Sequence, residues 1–143
     1  MRHLLDINLL IALLDPDHAF HEAAHAWWAK ATRAWASCPL TENGLIRIMA
    51  SPGYSQKVRF TVLDLTRRLE TFVQTSDHEF WPASFPPRES RRLHHDLILS
   101  AKHLTDLYLL ALAVERGGCL ATFDRHIPLA AAVGASRKHL LVL

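Results

Sequence analysis

Hydrophobic positions along the chain change their period several times, and each change marks an element. The run "RHLL" (2–5) predicts a buried strand, and "INLLIALLDP" (7–16) predicts a short helix stopped before Pro16. In "HAFHEAAHAWWAKA" (18–31) Phe20, Ala24, Trp27 and Ala31 recur at helical spacing, leaving His18, His21, Glu22 and His25 on other, solvated faces. "AWASC" (34–38) predicts a second strand, and "TENGLIRIMAS" (41–51) a helix capped by Thr41 and closed at Pro52. Val58 to Thr75 predicts a helix with Val62, Leu65, Leu69, Phe72 and Val73 facing inward and Arg59, Arg67, Arg68 and Glu70 largely outward. "HEFWPA" (78–83) is a third strand that its proline confines towards a sheet edge. "PRESRRLHHDLILSA" (87–101) predicts another helix, and Thr105 to Arg116 the last long one, ended by Gly117 and Gly118. "CLATF" (119–123), a short helix from Pro128 to Val133 and "HLLVL" (139–143) complete the chain with a fourth and a fifth strand.

Strands and helices alternate almost throughout, and two of the strands are nearly all apolar, as in a parallel sheet covered on both faces. The expected fold is an α/β three-layer sandwich with a five-stranded parallel sheet flanked by helices. At 143 residues, half of them hydrophobic, the chain suits a single domain over 1–143. The charge of +2 is mildly basic, compatible with an RNA partner but no argument for one. The longest apolar region, Leu97 to Val114, is broken by Lys102, His103 and Asp106, so no membrane span is expected. Asp6 and Asn8 interrupt the apolar start and no small-residue cleavage site follows, so no secretory signal is expected and the cytoplasm is the expected location. Cys38 and Cys119 read as reduced core residues.

The acids change the picture. Asp6 directly follows the first strand and Asp124 closes the fourth, at the carboxyl edge where open parallel sheets bind ligands. Glu42 falls in the first turn after the second strand, and Asp106 in the first turn of the helix that feeds the fourth. Each has a structural alternative: Asp6 as a cap, Glu42 as an acid favoured by the helix dipole, Asp124 as a turn residue, and Asp106 with Thr105 as a cap. Together they are four carboxylates directed to one edge, which would repel one another unless a cation neutralised them. An all-oxygen set suits Mg²⁺ or Mn²⁺, and the chemistry such ions support is phosphodiester hydrolysis.

With these residues in view, "LLDINLLIALLDPDHAFHEAAHAWW", "CPLTENGLIRIM" and "LTDLYLLALAVERGGCLATFDRHI" resemble, in order and over nearly the whole chain, the PIN-domain ribonucleases and their VapC-type toxins. The resemblance implies that Asp6, Glu42, Asp106 and Asp124 are the catalytic, metal-holding acids, with Asn8 and Thr122 as supporting polar groups. It further implies cleavage of single-stranded regions of RNA, of tRNA or ribosomal RNA type, with Mg²⁺ or Mn²⁺. A homodimer and a VapB-like antitoxin are the implied protein partners. The second motif departs from the commoner family form, because Asn43 and Gly44 follow the acid in place of an aliphatic residue. The alternative within the family is a catalytically silent module that only binds RNA or a partner.

Other residues invite other readings. "HEAAH" (21–25) matches the H-E-x-x-H of zinc proteases, yet Trp28 and Ala31 stand where the extended motif wants glycine and histidine. "LLDINLL" resembles a phosphatase nucleophile strand, but Asn8 occupies the place of its second acid. Arg91 and Arg92, with Arg67 and Arg68, are candidate phosphate contacts, and Arg47 suits either a site carboxylate or RNA. Trp27, Trp28, Trp35 and Trp81 suggest apolar surface in excess of one small core, open to a second copy or a partner helix.

Overall fold

A computed structural model describes residues 1–30 and 33–143; Ala31, expected to extend the stripe of the second helix, lies outside the described residues. The elements run β1 (His3–Leu5), α1 (Ile7–Leu14), α2 (His21–Ala29), β2 (Ala34–Ser37), α3 (Pro39–Met49), α4 (Val62–Gln74), β3 (Asp77–Phe80), α5 (Leu104–Glu115), β4 (Cys119–Thr122) and β5 (Leu140–Val142). All strands pair in parallel in the order β3-β2-β1-β4-β5, and the strand carrying the proline-terminated run is at an edge, as its sequence requires.

Alternation along the strands sorts the core into two layers. Leu5, Trp35 and Ala121 face α1 to α4, and Leu4, Ala36 and Leu120 face α5 with Trp81, Phe85 and Leu93. Helix α5 is buried continuously from Leu107 to Ala113, so it is apolar on every side. It stops at Gly117, whose φ of 65° is the left-handed turn that glycine adopts without steric cost. Gly44 has a different purpose: a Cβ there would lie 2.4 Å from the Ile7 side chain, so its absence lets α3 close on α1.

Several expectations are corrected. Residues 87–101 form no long helix; the segment holds the 3-10 turn His95–Leu97, reaches the start of another at Ala101, and pairs its backbone with residues 131–133. Two prolines stand at its start, and only Leu93 is buried while Leu97 and Leu99 are exposed, so no helical stripe exists to fold it. Helix α4 begins at Val62, because Thr61 and Asp64 close a capping box there, and Val62 is exposed instead of inward. Cys38 takes the cap position of α3 with Pro39 first in the helix, and Thr41 lies inside it, bonding back to the Cys38 N–H at 3.0 Å. Pro128 to Val133 reduces to one 3-10 turn, Leu129–Ala131.

The histidines of "HEAAH" lie on a face that is solvated at His25 and half-buried at His21, and both rings also bond to the neighbouring helix. His21 Nδ1 lies 2.7 Å from the Ala12 carbonyl and His25 Nε2 2.9 Å from that of Leu13, so the rings satisfy carbonyls that the end of α1 leaves free. Trp35 and Trp81 are buried and Trp27 and Trp28 half-buried, which absorbs the tryptophans into the fold. Cys38 and Cys119 are free and buried.

Candidate active site

The strand order reverses between β1 and β4, and the acids meet there. Leu5 pairs with Ala121, and the Asp6 N–H donates to the Ala121 carbonyl at 3.1 Å, so the segments following both strands leave the carboxyl edge side by side. Asp6 is buried and caps α1: its Oδ1 accepts the Leu9 N–H at 2.7 Å. The other oxygen, Oδ2, accepts from the Thr122 hydroxyl, whose oxygen in turn accepts the Asp124 N–H at 3.0 Å. One fully buried threonine therefore ties two of the acids together. Asp124 is half-buried and turns its Oδ1 to the His126 N–H at 2.7 Å.

Helix α5 begins at the same edge and delivers Asp106 in its first turn, half-buried. The structure corrects its expected capping role. A 3-10 turn, Ala101–His103, runs straight into α5, and neither Thr105 nor Asp106 accepts a backbone N–H among the described hydrogen bonds. The Asp106 carboxylate is thus not spent on its own helix.

Electrostatics show that three acids share one field. Burial pushes the Asp6 carboxyl up to about 6; the Thr122 and Leu9 bonds oppose that rise, and the charges of Asp106 and Asp124 add to it. Asp106 is raised as well, first by burial and then by Asp124, with His103 opposing. The ion pairs among the described residues, Arg2 with Asp77 and Glu79, Arg91 with Glu89, and Arg92 with Glu115, all lie elsewhere. No three His, Cys, Asp or Glu side chains among the described residues already converge as a metal cage. What the edge supplies is the donor chemistry: carboxylate oxygens on one edge that join no ion pair among the described residues, which suit a hard divalent ion.

Glu42 is not among the charges that shift Asp6 or Asp106. It occupies the first turn of α3 and its Oε1 accepts from the Ser37 hydroxyl at 2.5 Å, in a recess that it lines with Thr66, Glu70 and His78. Asn8 is exposed in the first turn of α1. Arg47 is exposed in the last turn of α3 and joins no ion pair among the described residues. Arg92 binds Glu115 at 2.7 Å, nine residues and so about 14 Å along α5 from Asp106. Arg91 leans on Glu89.

Sequence reasoning passed over Ser37 and His78, whose side chains meet at 2.8 Å although they are 41 residues apart. Only the register of β2 on β3, with Trp35 opposite His78, brings them to one face, and a run of residue types carries no register. His103, which opposes the rise at Asp106, was visible only as a break in an apolar region. Among the described residues no helix is long and apolar enough to cross a membrane.

Comparison with known proteins agrees with this fold. The PIN domain family model matches residues 3–133. Ribonuclease VapC44 of Mycobacterium tuberculosis is 42% identical over 145 residues, covering all of both chains. Ribonuclease VapC39 of the same organism is 35% identical over 135 residues, 94% of this chain and 96% of that one. Among solved structures, that of VapBC2 from Rickettsia felis bound to a DNA fragment from their promoter has a chain similar in fold, with a TM-score of 0.55 at 16% identity, covering 100% of this chain and 98% of that chain. A family match over nearly the full length, joined to relatives aligned end to end, means that the chain belongs to the PIN-domain family, among its VapC-type members.

Proposed function

We propose that the chain is a metal-dependent endoribonuclease that hydrolyses phosphodiester bonds in single-stranded regions of RNA, as the toxin of a type II toxin-antitoxin pair. The observation that carries this reading is the gathering of Asp6, Asp106 and Asp124 at the switch in strand order, with Asp6 pushed up to about 6. The relatives named as ribonucleases support it. Asp6, Asp106 and Asp124, with Glu42, are the residues that would hold Mg²⁺ or Mn²⁺. When bound, such an ion lowers the pKa of a water and offsets charge on a phosphoryl oxygen.

The chain's own part is orientation. Asp6 is fixed by the Leu9 N–H and the Thr122 hydroxyl before any ligand arrives, so little reorganisation remains to be made during reaction. Asp124 and Glu42 complete the site and orient the attacking water. Lys102 and Arg125, both exposed, neighbour Asp106 and Asp124 in sequence and suit the flanking phosphates of a tRNA or ribosomal RNA. Arg91 and Arg92 would contribute only to a strand long enough to reach the far end of α5.

A VapB-like antitoxin and a second copy of the chain are the proposed protein partners, in the cytoplasm. The VapBC2 complex of similar fold supports the first, and the exposed Leu97, Leu99 and Leu104 near the head of α5 offer apolar surface to either.

The test is cleavage of a mixed tRNA and ribosomal RNA pool by purified protein with Mg²⁺ or Mn²⁺, beside EDTA and Asp106→Asn. The expected result is cutting that requires the ion and is lost in the variant. A folded wild type that binds RNA and cuts none with either ion would favour the silent module.

A further inference from the structure

We propose that Ser37 and His78 form a hydrogen-bonded chain that positions the Glu42 carboxylate; the inference rests on the endoribonuclease reading above, in which Glu42 orients water. The Ser37 hydroxyl is fully buried, 2.5 Å from Glu42 Oε1 and 2.8 Å from His78 Nε2. A serine hydroxyl has one proton to give and a carboxylate can only accept, so that proton lies towards Glu42. His78 must then carry its hydrogen on Nε2 and donate it to the serine oxygen. The order is fixed: His78 Nε2–H to Ser37 Oγ–H to Glu42 Oε1.

The two donors of this chain are anchored on the sheet. His78 stands on β3 with its ring 4.4 Å from that of Trp35, and Ser37 closes β2 beside it. Glu42, by contrast, is a long side chain in the first turn of α3, and Ser37 is its one hydrogen-bond partner among the described residues. Two sheet residues thus select one rotamer of a mobile acid, and a group that orients a reactant gains most of its effect from being held. Ser37 and His78 are positioning residues in this account, acting through Glu42 and touching no substrate.

The experiment compares wild type, Ser37→Ala, His78→Phe and His78→Gln. His78→Phe keeps a ring against Trp35 and removes the donor; His78→Gln restores an N–H near the place of Nε2. The expected result is a kcat lowered about ten- to a hundredfold in Ser37→Ala and His78→Phe, KM for RNA unchanged, and most of the loss recovered in His78→Gln. A second readout needs no activity: ¹⁵N-histidine NMR should find His78 as the Nε2–H tautomer, with a resonance that moves in Ser37→Ala and in Glu42→Gln. The Nδ1–H tautomer, or wild-type kcat in both variants, overturns the chain while leaving the nuclease intact. A loss that follows thermal stability and is not rescued by His78→Gln overturns it as well. A folded wild type that cuts no RNA overturns the nuclease reading, and the positioning role with it.

Discussion

At the amino end of the sheet Arg2 reaches Asp77 at 3.0 Å and Glu79 at 3.1 Å and also donates to the Trp35 and Asp77 carbonyls, whereas at the carboxyl edge Asp6, Asp106 and Asp124 join no ion pair among the described residues. The first arrangement stitches β1 to β2 and β3, an ordinary use of charge. In the second, burial first and the neighbouring acids after it raise the proton affinity of Asp6 and Asp106, a cost the fold carries unless something positive arrives. Acids of one sheet are therefore stabilising or destabilising according to whether the chain supplies the counter-charge. A missing counter-charge is the mark of a site that waits for a ligand.

The comparison can be broken most severely through activity. Asp106→Asn and Asp6→Asn should each lower RNA cleavage by about a thousandfold or more, the scale of losing a group that meets charge developing in a transition state. Arg2→Ala should leave the cleavage rate alone, and single-turnover kinetics on one labelled RNA would check both.

A smaller effect concerns pH. The Asp6 carboxyl rises from an ordinary 3.8 to about 6 on folding, so its contribution to stability is full below pH 3.8 and is lost as pH climbs through about 6. The change amounts to about 3 kcal/mol. Urea denaturation at pH 4 and pH 7 should show wild type losing stability relative to Asp6→Asn over that interval. Parallel behaviour of the two proteins would mean that Asp6 bears no such cost.

Divalent ions should reverse the cost. At a hundredfold excess over its Kd, Mg²⁺ or Mn²⁺ stabilises a binding protein by about 2.7 kcal/mol, read as an upward Tm shift, and Asp106→Asn should lose most of that shift. Arg2→Ala should keep it in full while losing only about 1 kcal/mol of stability itself, since its acids are about half exposed. An equal metal response in Asp106→Asn would place the ion elsewhere.

How much of this was legible in the sequence follows from what each feature depends on. The strands announce themselves as short apolar runs, and the acids by following them, because burial on both faces and the polarity of a parallel sheet are written locally. Residues 87–101 misled because their polar and apolar residues were read as a helix, when the backbone bonds that organise them go to 131–133, far along the chain. Asp106 was expected to cap α5, but the preceding 3-10 turn already leads the chain into the helix. His21 and His25 carry no local sign that the end of α1 would lie beneath them. The Ser37, His78 and Glu42 chain required strand register, and Arg92 a partner 23 residues away, so neither was within reach of pattern alone.

The most direct test of the central claim, that the carboxyl-edge acids are held at a cost in order to bind a cation and cut RNA, measures folding stability and RNA cleavage together in wild type and Asp106→Asn without divalent ion and with it. The account predicts a variant that is more stable than wild type in the absence of ion, gains little from adding it, and does not cut. A variant that is less stable without ion, or that cuts as wild type does, would contradict it.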